Sequence, residues 1–210
     1  LAAAGGHESI CKTLVSAGSD VFLQNKKHQT ASQGSSSSLS EYLLNIEIEK
    51  RTAKLFAVME EMDSEQAVQL IEEGINIQSV DEYGCTPLVV SCIQNLVDAT
   101  KLLIQKGSSV EEMDENYQTS LHWAAMKGNL ECVQCLLENK APLNPFDVME
   151  QTPLHWAVIK NQQDAAIALV KAGADLTIVN ADGETALDCA SAELKALLES
   201  YSSLAVDGPR

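Results

Sequence analysis

Apolar and polar positions recur along this chain with a period of 33 residues, far longer than the repeat of any single helix or strand. Paired aliphatics stand at Leu70/Ile71, Leu103/Ile104, Leu136/Leu137 and Leu169/Val170, and single leucines at Leu88, Leu121, Leu154 and Leu187. Thr86, Thr119, Thr152 and Thr185 keep the same register, each closing a polar turn: DEYGC, DENYQ, DVMEQ and NADGE. Gly74, Gly107 and Gly173 follow three residues past the second aliphatic, where a helix that stops in a left-handed residue wants glycine. Lys140 takes that slot in the third unit. Each unit therefore predicts a turn, a short helix, a second short helix and an extended link. Helices this short do not persist alone, because nucleation costs more than their few hydrogen bonds return. They must stack, burying the leucines against the aliphatic pairs in one elongated, all-α core.

The stretches CTPLVVSC, TSLHWAA followed by GN, TPLHWAV and ETALDCA resemble the T-P-L-H-x-A-A…G-H signature of the ankyrin repeat over about residues 53–200. The resemblance implies L-shaped units of two antiparallel helices and a projecting β-hairpin loop, stacked into an ankyrin-repeat solenoid. It also implies a protein-recognition module without catalysis of its own. Residues 1–33 read as partial or degenerate repeats: LAAAGGHESICKTLVSAGSDVFLQ fits from its first helix onward, with Gly6, His7, Leu14, Val15 and Gly18 in register, and Thr30 occupies the next threonine slot. Residues 34–50 read as a Ser-rich insert, GSSSS, followed by an irregular helix. The first half of the helix-prone segment 39–62 is either an irregular second helix of a broken unit or a cap on the repeats that follow. Residues 51–200 form the array of about five units, the last shortened as a cap because Leu197/Leu198 arrive early, and 201–210 read as a tail.

Composition narrows the function. No run of 18 apolar residues occurs, so no membrane span is expected. Six cysteines set in apolar runs suit a reducing compartment, pointing to an intracellular, cytoplasmic location with the nucleus compatible. The net charge of -16 opposes phosphate backbones and acidic lipid, excluding nucleic acid and membrane as partners and favouring a partner protein or linear peptide with a basic segment. A merely solvated acidic surface is the plainer alternative. His122 and His155 recur because of the repeat, and the resemblance implies that they bond between neighbouring turns. A metal site would need a third ligand at matching spacing. Cys132 and Cys135 fall on a second helix and read as buried thiols. No phosphate loop, dinucleotide fingerprint or nucleophile elbow appears, so no catalytic residue, metal or cofactor is assigned and no enzyme is expected.

Trp123 and Trp156 follow those histidines and, in the solenoid that the resemblance implies, face its concave side. They are either a partner-binding hot spot or a pair of rings shielding the first-helix backbones. Beside them run the variable positions Ile93 and Gln94, Met126 and Lys127, Ile159 and Lys160. The hairpin tips add Glu82 and Tyr83, Glu115 and Asn116, Val148 and Met149. Together they suit an extended peptide or a helix. The two LHWA phrases are also similar, over about 119–160, to the ankyrin portion of DHHC-type palmitoyltransferases. That likeness implies capture of a substrate's linear motif by an array whose catalytic part lies outside this chain.

Overall fold

A computed structural model describes residues 2–3, 8–24, 29–33 and 37–206. Gly6, His7, His28 and, of GSSSS, Gly34, Ser35 and Ser36 lie outside them. The described residues form ten helices and no sheet. Two compact units separate: residues 1–54 with 72–76, and residues 55–71 with 77–210.

In the first unit α1 (Glu8–Ser16) packs Cys11 against Leu39 and Leu43 of α2 (Ser37–Glu60). Glu47 is buried there, accepting a hydrogen bond from the Ser32 hydroxyl at 3.0 Å and pairing with Arg51 at 3.7 Å. Arg51 also reaches Glu73 at 3.8 Å and lies over the Phe22 ring. A buried carboxylate is tolerable only with such partners. The helix is continuous from 37 to 60, so the boundary read at 50/51 falls inside it. Within this helix, residues through Lys54 belong to the first unit and residues 55–60 to the second.

The second unit adds α3 (Ser64–Glu73) up to Ile71 and then the helix pairs α4 (Pro87–Ile93) with α5 (Val97–Gln105), α6 (Ser120–Lys127) with α7 (Leu130–Glu138), and α8 (Pro153–Ile159) with α9 (Gln163–Lys171). Leu88, Leu121 and Leu154 are fully buried, as are Leu103, Leu136 and Leu169 from the aliphatic pairs. Thr86, Thr119 and Thr152 cap their helices, each accepting the amide hydrogen three residues on. The expected burial of Leu187 is corrected: residues 186–190 form a turn in place of a first helix, leaving Leu187 half-buried before α10 (Ala192–Val206). Helix α10 runs into the segment read as a tail.

Helix ends repeat with the same period. From residue 62 onward the left-handed residues fall into three registers of 33: Met62, Asn95, Gly128 and Asn161 between paired helices; Gly74, Gly107, Lys140 and Gly173 after the second helix; Gly84, Tyr117, Glu150 and Gly183 in the turns. After the second helix the wrapped pattern of bonds is identical whether glycine is present or not: Gly107 N–H donates to Ile104 O and Ser108 N–H to Leu103 O, while Lys140 N–H donates to Leu137 O and Ala141 N–H to Leu136 O. At Gly128 a Cβ would meet the side-chain amide of Gln162, a flexible group that would have to move aside.

Candidate functional site

The turns carry an aspartate every 33 residues, replaced by Asn180 in the last, and its side chain organises the turn. One oxygen, Oδ1, of Asp81 accepts the amides of Tyr83 and Cys85; Asp114 does so for Asn116 and Gln118, Asp147 for Met149 and Gln151, and Asn180 for Asp182 and Glu184. The second oxygen, Oδ2, reaches the first helix. Trp123 Nε1–H donates to Asp114 at 2.8 Å and Trp156 Nε1–H to Asp147 at 2.7 Å. The Gln118 amide also donates to that oxygen of Asp147. Burial alone would raise the Asp147 carboxyl, but the hydrogen bonds from Trp156, the Gln151 amide, Gln118 and the Met149 amide outweigh it and hold it below the ordinary carboxylate value.

The histidines bind the turns together. Thr119 N–H donates to Nδ1 of His122 at 3.0 Å, which leaves Nε2 as the protonated nitrogen, donating to Gln151 O of the next turn at 3.1 Å. His155 repeats the arrangement with Thr152 and with Glu184 O. Burial depresses both imidazole pKa values below the ordinary 6.5. Asp188 occupies the corresponding slot of the last unit and accepts from Thr185 instead. Successive tips are also joined along the backbone, Val148 N–H to Asn116 O and Ala181 N–H to Met149 O.

Five of the residues singled out from the sequence, Tyr83, Ile93, Gln94, Asn116 and Trp123, line one cleft of about 280 Å³, together with Glu60, Asp81, Cys85, Val90 and Asp114. Glu82 and Glu115 are exposed on the adjoining tips. Met126, Lys127, Trp156, Ile159, Lys160, Val148 and Met149 stand outside that cleft. Trp123 and Trp156 are half-buried, and the Lys160 ammonium lies 5.7 Å over the Trp156 ring. Val148, Met149 and Ile159 are exposed.

Several surface residues were missed. Val80, Met113, Phe146 and Val179 form an exposed apolar series immediately before the turn residues, and Tyr117 is exposed at a tip. Their 33-residue spacing was visible, but spacing alone does not separate an exposed apolar residue from a core one. Glu60 carried no such signal, because it precedes the first matching turn.

The sequence model for ankyrin repeats (3 copies) matches residues 1–114 and again 97–180. The chain belongs to the ankyrin-repeat family. Ankyrin repeats are generally protein-interaction modules and typically non-catalytic. Comparison with curated proteins returned no match. No described helix of this ankyrin protein is long and apolar enough to cross a membrane. In the ankyrin frame Asp114, Asp147, the capping threonines and the two histidines are scaffold, since their polar atoms are used in hydrogen bonds inside or between units. What the scaffold leaves at the surface is the turn tips, the cleft beside Trp123 and the half-buried tryptophans, Trp156 lying under Lys160.

Proposed function

We propose that the repeats within 51–200 bind a partner protein or linear peptide, without chemistry of their own, through the first-helix face and the turn tips. Trp123 and Trp156 are central, flanked by Ile93, Gln94, Met126, Lys127, Ile159 and Lys160, with Glu82, Tyr83, Glu115, Asn116, Val148 and Met149 on the tips. The observation that carries this reading is the pair of indole bonds to Asp114 and Asp147. They satisfy the polar edge of each ring internally and hold it in place, so the apolar faces are offered with little conformational entropy left to lose. The acidic balance of the chain favours partners with basic segments.

Panning a displayed peptide library on the whole chain tests the proposal. Exchanging both tryptophans for alanine is expected to weaken capture of the enriched peptides by more than about 2 kcal/mol while the helical circular-dichroism signal stays close to the parent. Unchanged capture by the double variant would reject the placement.

A further inference from the structure

One hydrogen bond distinguishes the cleft beside Trp123 from its counterpart in the next repeat. At Asp114 and Asp147 both carboxylate oxygens are engaged, one by turn amides and the other by an indole N–H. Val90 stands where those tryptophans stand, so Asp81 spends its Oδ1 on the Tyr83 and Cys85 amides while its Oδ2 has no donor among the described residues. Asp81 lines the cleft with Glu60 and Trp123. Cys85 in the same wall is pushed up to about 12, first by burial and then by the charges of Asp81, Asp114 and Glu115.

The next repeat gives a precedent within the chain. At Trp156, beside Asp147, it places its own cation over the ring in Lys160. Among the described residues no lysine or arginine lies over the ring of Trp123, and there the cleft is open. We propose that this cleft takes the guanidinium of an arginine carried by an extended partner peptide, stacked on Trp123 and hydrogen-bonded to Asp81 and Glu60. Arginine suits the site better than lysine because the acceptors are spread over separate residues around an aromatic face. A planar group with five donors can stack and reach several carboxylates together, whereas an ammonium is a compact point charge. The proposal rests on the reading of this face as the peptide-binding surface.

Titration of the nitrogen-15-labelled whole chain with N-acetyl-arginine N-methylamide is the test. The Trp123 indole N–H and the Tyr83 and Asn116 amides should shift saturably, with the Trp156 indole much less affected, and the uncharged citrulline analogue should have no such effect. Glu60→Gln with Asp81→Asn should weaken the response by roughly tenfold or more. This pair preserves the turn, since Asn180 already performs the same amide bonding in the last unit. No saturable shift, equal shifts with citrulline, stronger binding of the lysine analogue, or indifference to the double variant would each overturn the assignment. Library peptides that need both tryptophans but contain no arginine would leave the binding surface standing and remove the arginine site. Arginine binding in the cleft with capture indifferent to the tryptophans would do the reverse.

Discussion

His122 and His155 are neutral in the folded chain because each Nδ1 accepts a threonine amide and each ring is desolvated. Their folded pKa values lie below the unfolded one, so between the two values the unfolded chain binds more protons than the folded chain. Stability from this source is complete above about pH 6.5 and declines as pH falls toward the depressed values. Urea denaturation across pH 7.5 to 5 is expected to show that decline, and exchanging both histidines for glutamine should flatten it. Lys140 makes a second prediction. It holds φ near 60° in a slot where Gly74, Gly107 and Gly173 sit, and a left-handed lysine costs about 1–2 kcal/mol. Glycine there should stabilise the chain by about 0.5–1 kcal/mol, the difference being the extra entropy glycine loses on folding. Chemical denaturation measures it, and a loss of stability would contradict the strain. The exception at Lys140 was legible from the period alone. The aspartate–indole bonds were not, because nine residues separate the partners and only the fold of the turn onto the helix decides that they meet.

Helices α4, α6 and α8 are seven or eight residues long, too short to hold without neighbours. Leu154 is fully buried at the contact between α8 and the helices beside it. Leu154→Ala should therefore cost about 2–5 kcal/mol, and hydrogen exchange should quicken in α6 and α7 as well as in α8 and α9. Exchange confined to α8 would argue against coupled units. The helix pairs were readable in the sequence because the leucine and aliphatic registers are nearest-neighbour requirements. The last unit departed from that reading. Asp188 replaces the capping histidine, Leu187 lies in a turn, and the helical signal resumes only at Ala192. Periodicity located the leucine but does not say whether a helix stands beneath it. In the same way Leu39, Leu43, Leu55 and Met59 belong to one unbroken α2, although they serve two separate cores.

Across the chain, acidic residues exceed basic ones by 16 charges. Association with a basic peptide should therefore slow as sodium chloride rises from about 0.05 to 0.5 M, mostly through the association rate, because the Debye length shrinks over that range. Stopped-flow rates with an arginine-bearing peptide would show it, and salt-independent association would remove long-range attraction from the account. The period, the family and, outside the last unit, the helix ends and buried leucines were all present in the order of residues, because each depends on a residue and its equivalents one unit away. The cleft was not. Glu60, Asp81 and Trp123 come from three successive units, and whether a carboxylate oxygen is spent on an indole or left open depends on which side chains the stacked turns bring within hydrogen-bonding reach. That is a matter of distance in space, and only the tertiary structure supplies it.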